Sequence, residues 1–191
     1  MNLPEDIKIF NFNKFKKFLE KLFGQETTCQ LLNNLGTQDD IINATFSIKN
    51  DNGLAYNGSL LNTIFELADY ADKLNELLPD KIKIDKSKIY KVCLLQHIGK
   101  IKMYEPNDNS WEVEKRGLLY KFSNSNSTLK LGEVSSLIAL NSGIKLSEDE
   151  FESIRVLDKI KENDDSIKYF FSPLSTIIKQ ANELIYLIHK K

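Results

Sequence analysis

Apolar residues recurring at helical spacing constrain this chain most. Leu60, Ile64, Leu67, Ala68, Ala71, Leu74 and Leu78 form one stripe, and Leu174, Ile177, Ile178, Ala181, Leu184, Ile185 and Ile188 form another. A period near 3.6 residues puts each set on one face of a helix, and each face needs another element to cover it. Phe15, Phe18, Leu19, Leu22 and Phe23 repeat the pattern, with Glu5 and Asp6 in a dipole-compatible first turn and Gly24 as the stop. A second short helix is predicted over Thr27–Leu35, ending at Gly36. Ser59 can cap a long helix that Pro79 stops. Ile89–His97 is nearly continuously apolar and reads as the central, most buried helix, ended by Gly99. Leu131–Ser142 is helical, Ser147 with Glu150 is a capping box for a helix running to about Ile160, and Pro173 opens the last helix. Residues 51–58, 123–128 and 163–165 read as loops.

Between Trp111 and Phe122 the pattern changes. Trp111, Val113, Leu118, Leu119, Tyr120 and Phe122 flank a charged stretch ending in Gly117, which predicts a small hairpin turning near Gly117. The expected class is therefore all-α with a small β excursion near 111–122. At 191 residues with 41% apolar composition, one domain with a real core is expected.

Composition narrows the function classes. Lys plus Arg total 26 against 27 acidic residues, a net charge of −1, and only Arg116 and Arg155 are arginines. Nucleic-acid readers carry a basic excess and favour Arg, so nucleic acid is not an expected partner. No apolar run reaches the roughly 18 residues of a membrane span, and the first residues do not read as a signal peptide. Cys29 and Cys93 are too few for a disulfide framework, and Cys93 within Val92–Leu95 reads as a buried reduced thiol. An intracellular setting is expected. Lys14, Lys17 and Lys21 share one face of the first helix. They read as the solvated side of a docked helix, or as a contact for an anionic membrane or acidic partner.

Residues that bear chemistry are sparse. His189 lies in a tail expected to be solvated, and His97 closes a helix whose dipole favours an imidazolium. No phosphate loop, zinc spacing or nucleophile elbow is present.

Leu94-Leu95-Gln96-His97-Ile98-Gly99-Lys100-Ile101 resembles the leucine-leucine-His-Asp-isoleucine-Gly-Lys signature of HD-domain metal-dependent phosphohydrolases. Other segments resemble a short phage and bacterial subgroup of that family in the same order. They are Gly53–Asn62, Trp111–Phe122, Leu131-Gly132-Glu133-Val134-Ser135, Leu146–Glu150 with Ile154-Arg155, and Ala181-Asn182-Glu183. The resemblance covers about residues 42–188 and implies an HD-like helical bundle over 42–191, preceded by an N-terminal helical extension over 1–41. The family's metal ligands are replaced: its first histidine reads Asn62, its His-Asp pair reads Gln96-His97, a further histidine reads Leu131, and its late aspartate reads Asn182. Val156 follows Ile154-Arg155 where another histidine is expected. Amides are poor ligands for a catalytic divalent ion and leucine is none. Without the ion, no water is activated at neutral pH.

The resemblance thus implies a catalytically inactive protein with no metal or other cofactor. Its role would be structural or protein-interacting, through a protein partner or self-association, in host cytoplasm or a virion if phage-encoded. The N-terminal extension and the lysine-rich connector 81–91 are the candidate contact surfaces. Two alternatives are a metal-free nucleotide or phosphate module using Lys100 and Arg155 with Gln96 and His97, and a residual phosphohydrolase with a rearranged site of Glu133, Asp158, Glu183 and His97. Asn62, Gln96, His97 and Asn182 are expected to converge, with the amides satisfying one another.

Overall fold

The computed structural model describes residues 3–50, 53–123, 128–158 and 172–190. Its helices are α1 (Glu5–Phe23), α2 (Gln25–Leu35), α3 (Gln38–Ile42), α4 (Ser59–Glu76), α5 (Lys86–Gln96), α6 (Lys100–Met103), α7 (Ser110–Arg116), α8 (Leu131–Asn141), α9 (Glu148–Ile154) and α10 (Pro173–His189). Two short strands, β1 (Tyr104–Pro106) and β2 (Tyr120–Phe122), pair antiparallel, Tyr104 opposite Phe122. The architecture is all-α with a small hairpin.

Helix α5 is the central element. Ile89, Val92, Cys93, Leu94, Leu95 and Gln96 are buried, and α1, α4, α8, α9 and α10 all pack on it. An apolar run with no polar face can be stable only when neighbours cover it on all sides. The α4 stripe meets α10 and α5, so the two most amphipathic helices cover each other. Phe12, Phe15 and Leu19 of α1, Leu31 and Leu35 of α2 and Ile41 of α3 join the same core cluster as α4, α5 and α10. The described part of the 1–41 extension therefore packs as part of this core. Cys93 is fully buried, and desolvation pushes its thiol pKa up.

Capping chemistry places the remaining ends. Ser147 and Glu150 form the expected box at α9, and Ser172 caps α10 with Pro173 in its first turn. Helix α9 ends at Ile154, short of the expected end near Ile160, because Arg155 is its C-cap and 155–158 form a turn; residues 159–160 and the 163–165 loop lie outside the described residues. Residues 124–127 of the expected 123–128 loop and residues 51–52 of the 51–58 loop are also outside them. Ser59 does not cap α4, because Gly58 holds the N-cap position in the left-handed region. Ser59 Oγ instead donates to the Leu54 carbonyl (2.7 Å) and accepts from the Phe46 amide (2.8 Å), satisfying two buried backbone groups.

The hairpin lies differently from the sequence expectation. Trp111 and Val113 are in α7, and the partner of β2 lies upstream, in β1. Local helix chemistry outweighs the alternation: the Asn109 side chain accepts from the Glu112 amide (3.3 Å), Glu112 pairs with Arg116 one turn on (3.2 Å), and Gly117 closes the helix at φ 64°. Trp111 remains 60% exposed.

Candidate functional site

The end of α5, the turn after it, and the facing sides of α8, α9 and α10 bring three of the expected residues together. The Gln96 amide nitrogen donates to the Ser153 carbonyl (3.1 Å). Asn182 Nδ2 donates to Gln96 Oε1 (2.8 Å) and to the Ile178 carbonyl (2.8 Å). His97 Nε2 lies 2.9 Å from Asn182 Oδ1. Carbonyls accept only, so Ser153 orients Gln96, and Gln96 with Ile178 orients Asn182. Asn182 then presents an oxygen, which requires His97 to carry its proton on Nε2. His97 Nδ1 is left as a buried acceptor with no hydrogen-bond partner among the described residues.

The imidazolium expected at the end of α5 is not the state this environment favours. Burial, reinforced by the Lys100 charge, holds His97 well below its ordinary pKa, and the Asn182 hydrogen bond opposes only in part. The ring sits edge-on to Phe46, centroids 4.7 Å apart. Lys100 shares that aromatic shelf. It is 3% exposed, its Nζ donates to the Phe46 carbonyl (2.6 Å), and it lies 3.5 Å above the Phe46 ring centre. Burial brings its pKa down to about 7.

Close backbone approach builds this corner. Ser135 Oγ accepts from the Gly99 amide (3.0 Å) and donates to the Gln96 carbonyl (2.9 Å), clipping the turn to α8. A Cβ at Gly99 would lie 2.9 Å from Ser135 Oγ and 3.1 Å from the Leu131 carbonyl. A Cβ at Gly132 would lie 2.7 Å from Arg155 Cα and 2.9 Å from the Ile154 carbonyl. Backbone cannot yield cheaply there, so Gly132→Ala is expected to cost about 2 kcal/mol in urea unfolding. A loss below about 0.5 kcal/mol would show that α8 slides without strain.

The other expected residues take separate partners. Asn62 donates to Glu66 one turn along α4 (2.8 Å), and no hydrogen bond joins it to Gln96, His97 or Asn182. Glu66 also holds His189 Nε2 at 2.7 Å. His189 is therefore the last residue of α10 with a carboxylate partner, contrary to the solvated tail expected for it. Leu131 supplies backbone at the start of α8. Arg155 pairs with Glu133 (2.9 Å) and, at ion-pair distance, with Asp158 (3.6 Å). Asp158 Oδ1 accepts from the Gly132 amide (2.9 Å).

The rearranged metal set does not assemble. Glu133 and Asp158 belong to Arg155, Glu183 is exposed, and His97 is closed onto Asn182. Among the described residues no three His, Cys, Asp or Glu side chains converge to hold an ion. The donors that do converge are two neutral amides and one imidazole, a set that does not fit a catalytic divalent metal.

Sequence reasoning missed Phe46, Ser135, Ser153, Glu66 and the role of His189. Ser135 stood inside the quoted Leu131–Ser135 segment, and Glu66 stands four residues from Asn62, so both were reachable. Nothing local marks Phe46. Comparison with protein-family models, curated proteins and solved structures returns no match. Among the described residues no helix is long and apolar enough to cross a membrane.

Proposed function

We propose that the chain is a non-catalytic protein on a degenerate HD-like scaffold, acting through contacts with another protein. The observation that carries this reading is the closed chain from the Ser153 carbonyl through Gln96 and Asn182 to His97. At Gln96, His97 and Asn182, three of the positions where the resemblance places metal ligands, the polar groups bond to one another, while Asn62 is bonded to Glu66 on its own helix. A carboxylate cluster without its ion would repel itself and raise its own pKa values, whereas neutral amides carry no such penalty. The resembled subgroup makes a phage-encoded or virion component the proposed setting.

The phosphate-module alternative has less support. Lys100 is turned onto the Phe46 carbonyl, and Arg155 is engaged by Glu133 and Asp158, so an anion would have to displace existing partners.

Protein purified without chelator is expected to carry no stoichiometric Mn, Fe, Zn or Mg and to turn over neither nucleotides nor phosphomonoesters. About one tightly held metal per chain together with hydrolysis would overturn the reading. Restoring the family pair with Gln96→His and His97→Asp is expected to give no hydrolysis, since the remaining ligand positions stay amide or leucine. The double variant should lose about 1–3 kcal/mol of stability from a buried, poorly paired acid. An equally stable variant would show the site to be open.

A further inference from the structure

The lysine-rich connector 81–91 is a weak contact surface, because four of its five lysines are committed: Lys83 pairs with Glu76 and Asp80, Lys86 with Asp72, Lys88 with Asp149 and Lys91 with Glu150, which leaves Lys81. The outer face of α1 differs. Phe10, Lys14, Lys17 and Lys21 recur at helical spacing along a groove of about 550 Å³, which continues past Phe18 into a second hollow floored by Tyr90. Phe18 stacks on Tyr90, centroids 5.5 Å apart, and contacts Phe65 at 6.1 Å, so the floor is aromatic and fixed. Phe10 stands 66% exposed at one end. Lys14 lies 4.1 Å above the Phe65 ring centre, while Lys17 and Lys21 are exposed and make no ion pair among the described residues.

We propose that this groove is the docking site for an acidic amphipathic segment of a partner protein, with apolar anchors seated against Phe10 and Phe18 and carboxylates facing Lys14, Lys17 and Lys21. The inference rests on, and deepens, the interaction role proposed above. Charge complementarity selects the occupant. A second copy placing the same face here would set lysine against lysine. A membrane is favoured by a protruding apolar face rather than a hollow. Stacking of nucleic-acid bases is disfavoured because the face of Phe18 is already covered by Tyr90 and no arginine borders the groove. A helix laid in a groove with anchors at i, i+4 and i+7 fits both the shape and the charge.

The probe is a fluorescein-labelled helical peptide of about 15 residues, glutamate-rich with Leu and Phe at i, i+4 and i+7, titrated with the full chain. The expected result is saturable binding at a Kd of about 10 µM or tighter, weakened by salt. Phe10→Ser, and Lys17→Glu with Lys21→Glu, should each weaken it about tenfold or more. These positions are exposed, so circular dichroism and melting should be unchanged, and Lys115→Glu on α7 should bind as wild type. Absence of saturable binding, equal binding by the α1 variants, or binding of phosphatidylserine vesicles or oligothymidine in place of the peptide would overturn the proposal. The phosphohydrolase assay is scored separately. Turnover with peptide binding intact would remove the non-catalytic reading and leave the groove; no turnover and no peptide binding would do the reverse.

Discussion

Asn182→Leu is expected to destabilise the protein by about 4 kcal/mol, because one substitution strands two buried groups. Asn182 supplies the donor that Gln96 Oε1 accepts and the acceptor that His97 Nε2–H requires, and all three residues are nearly inaccessible to water. Each stranded group costs about 1–3 kcal/mol when water cannot reach it. The Ile178 carbonyl also loses a donor, but a helical carbonyl keeps its backbone bond and contributes little. Urea unfolding should show a lower midpoint with an unchanged slope. Gln96→Leu combined with Asn182→Leu should cost less than the sum of the single changes, by about 1–2 kcal/mol, because the second substitution removes a group the first had stranded. Strict additivity, or a loss below about 1 kcal/mol for Asn182→Leu, would mean that the network is wetter than its burial implies.

The second large effect is a dependence of stability on pH centred on Lys100. Its folded pKa is brought down by burial to about 7, against 10.5 for the free side chain. Below that folded value the amine is charged in both states and its contribution is flat. Between about 7 and about 10.5 the unfolded chain holds a proton that the folded chain has released, so unfolded protein binds more protons and stability rises with pH. The ceiling on that rise is about 1.4 kcal/mol per pH unit. The Phe46 carbonyl and ring favour the ammonium and keep the real slope below it. His97 acts in the same direction at lower pH. Its folded pKa is depressed below 6.5, so under acid the unfolded chain takes up a proton the folded chain refuses, and stability falls as pH falls. Wild type compared with Lys100→Met should gain relative stability between about pH 7 and about pH 9. A difference constant across that range would show Lys100 to be solvated.

How much of this was legible in the residues differs by element. The run Val92–Leu95 announced a helix covered on all sides, and α5 is that helix. Ser147 with Glu150, Pro173, and the stripes of α4 and α10 were equally readable, because each acts through neighbours no more than about four residues away. The pairing of Gln96 with Asn182 and His97 was expected from the ordered resemblance, and these three do meet. Asn62 was expected with them, yet its hydrogen bond goes to Glu66, a partner on its own helix. Trp111 and Val113 misled because alternation over a few residues suits a strand, while the Asn109 cap and the Glu112–Arg116 pair on the same stretch suit a helix.

Periodicity and capping residues determined that this chain is helical, where most helices begin, and which one is central, since those are free energies of local conformation and of one face needing cover. Only the tertiary structure decided that Lys100 reaches the Phe46 carbonyl across 54 positions, that His189 finds Glu66 across 123, and that burial disfavours the charged form of His97. Those outcomes depend on which distant groups share a desolvated space, and desolvation belongs to the packed assembly rather than to any segment of it.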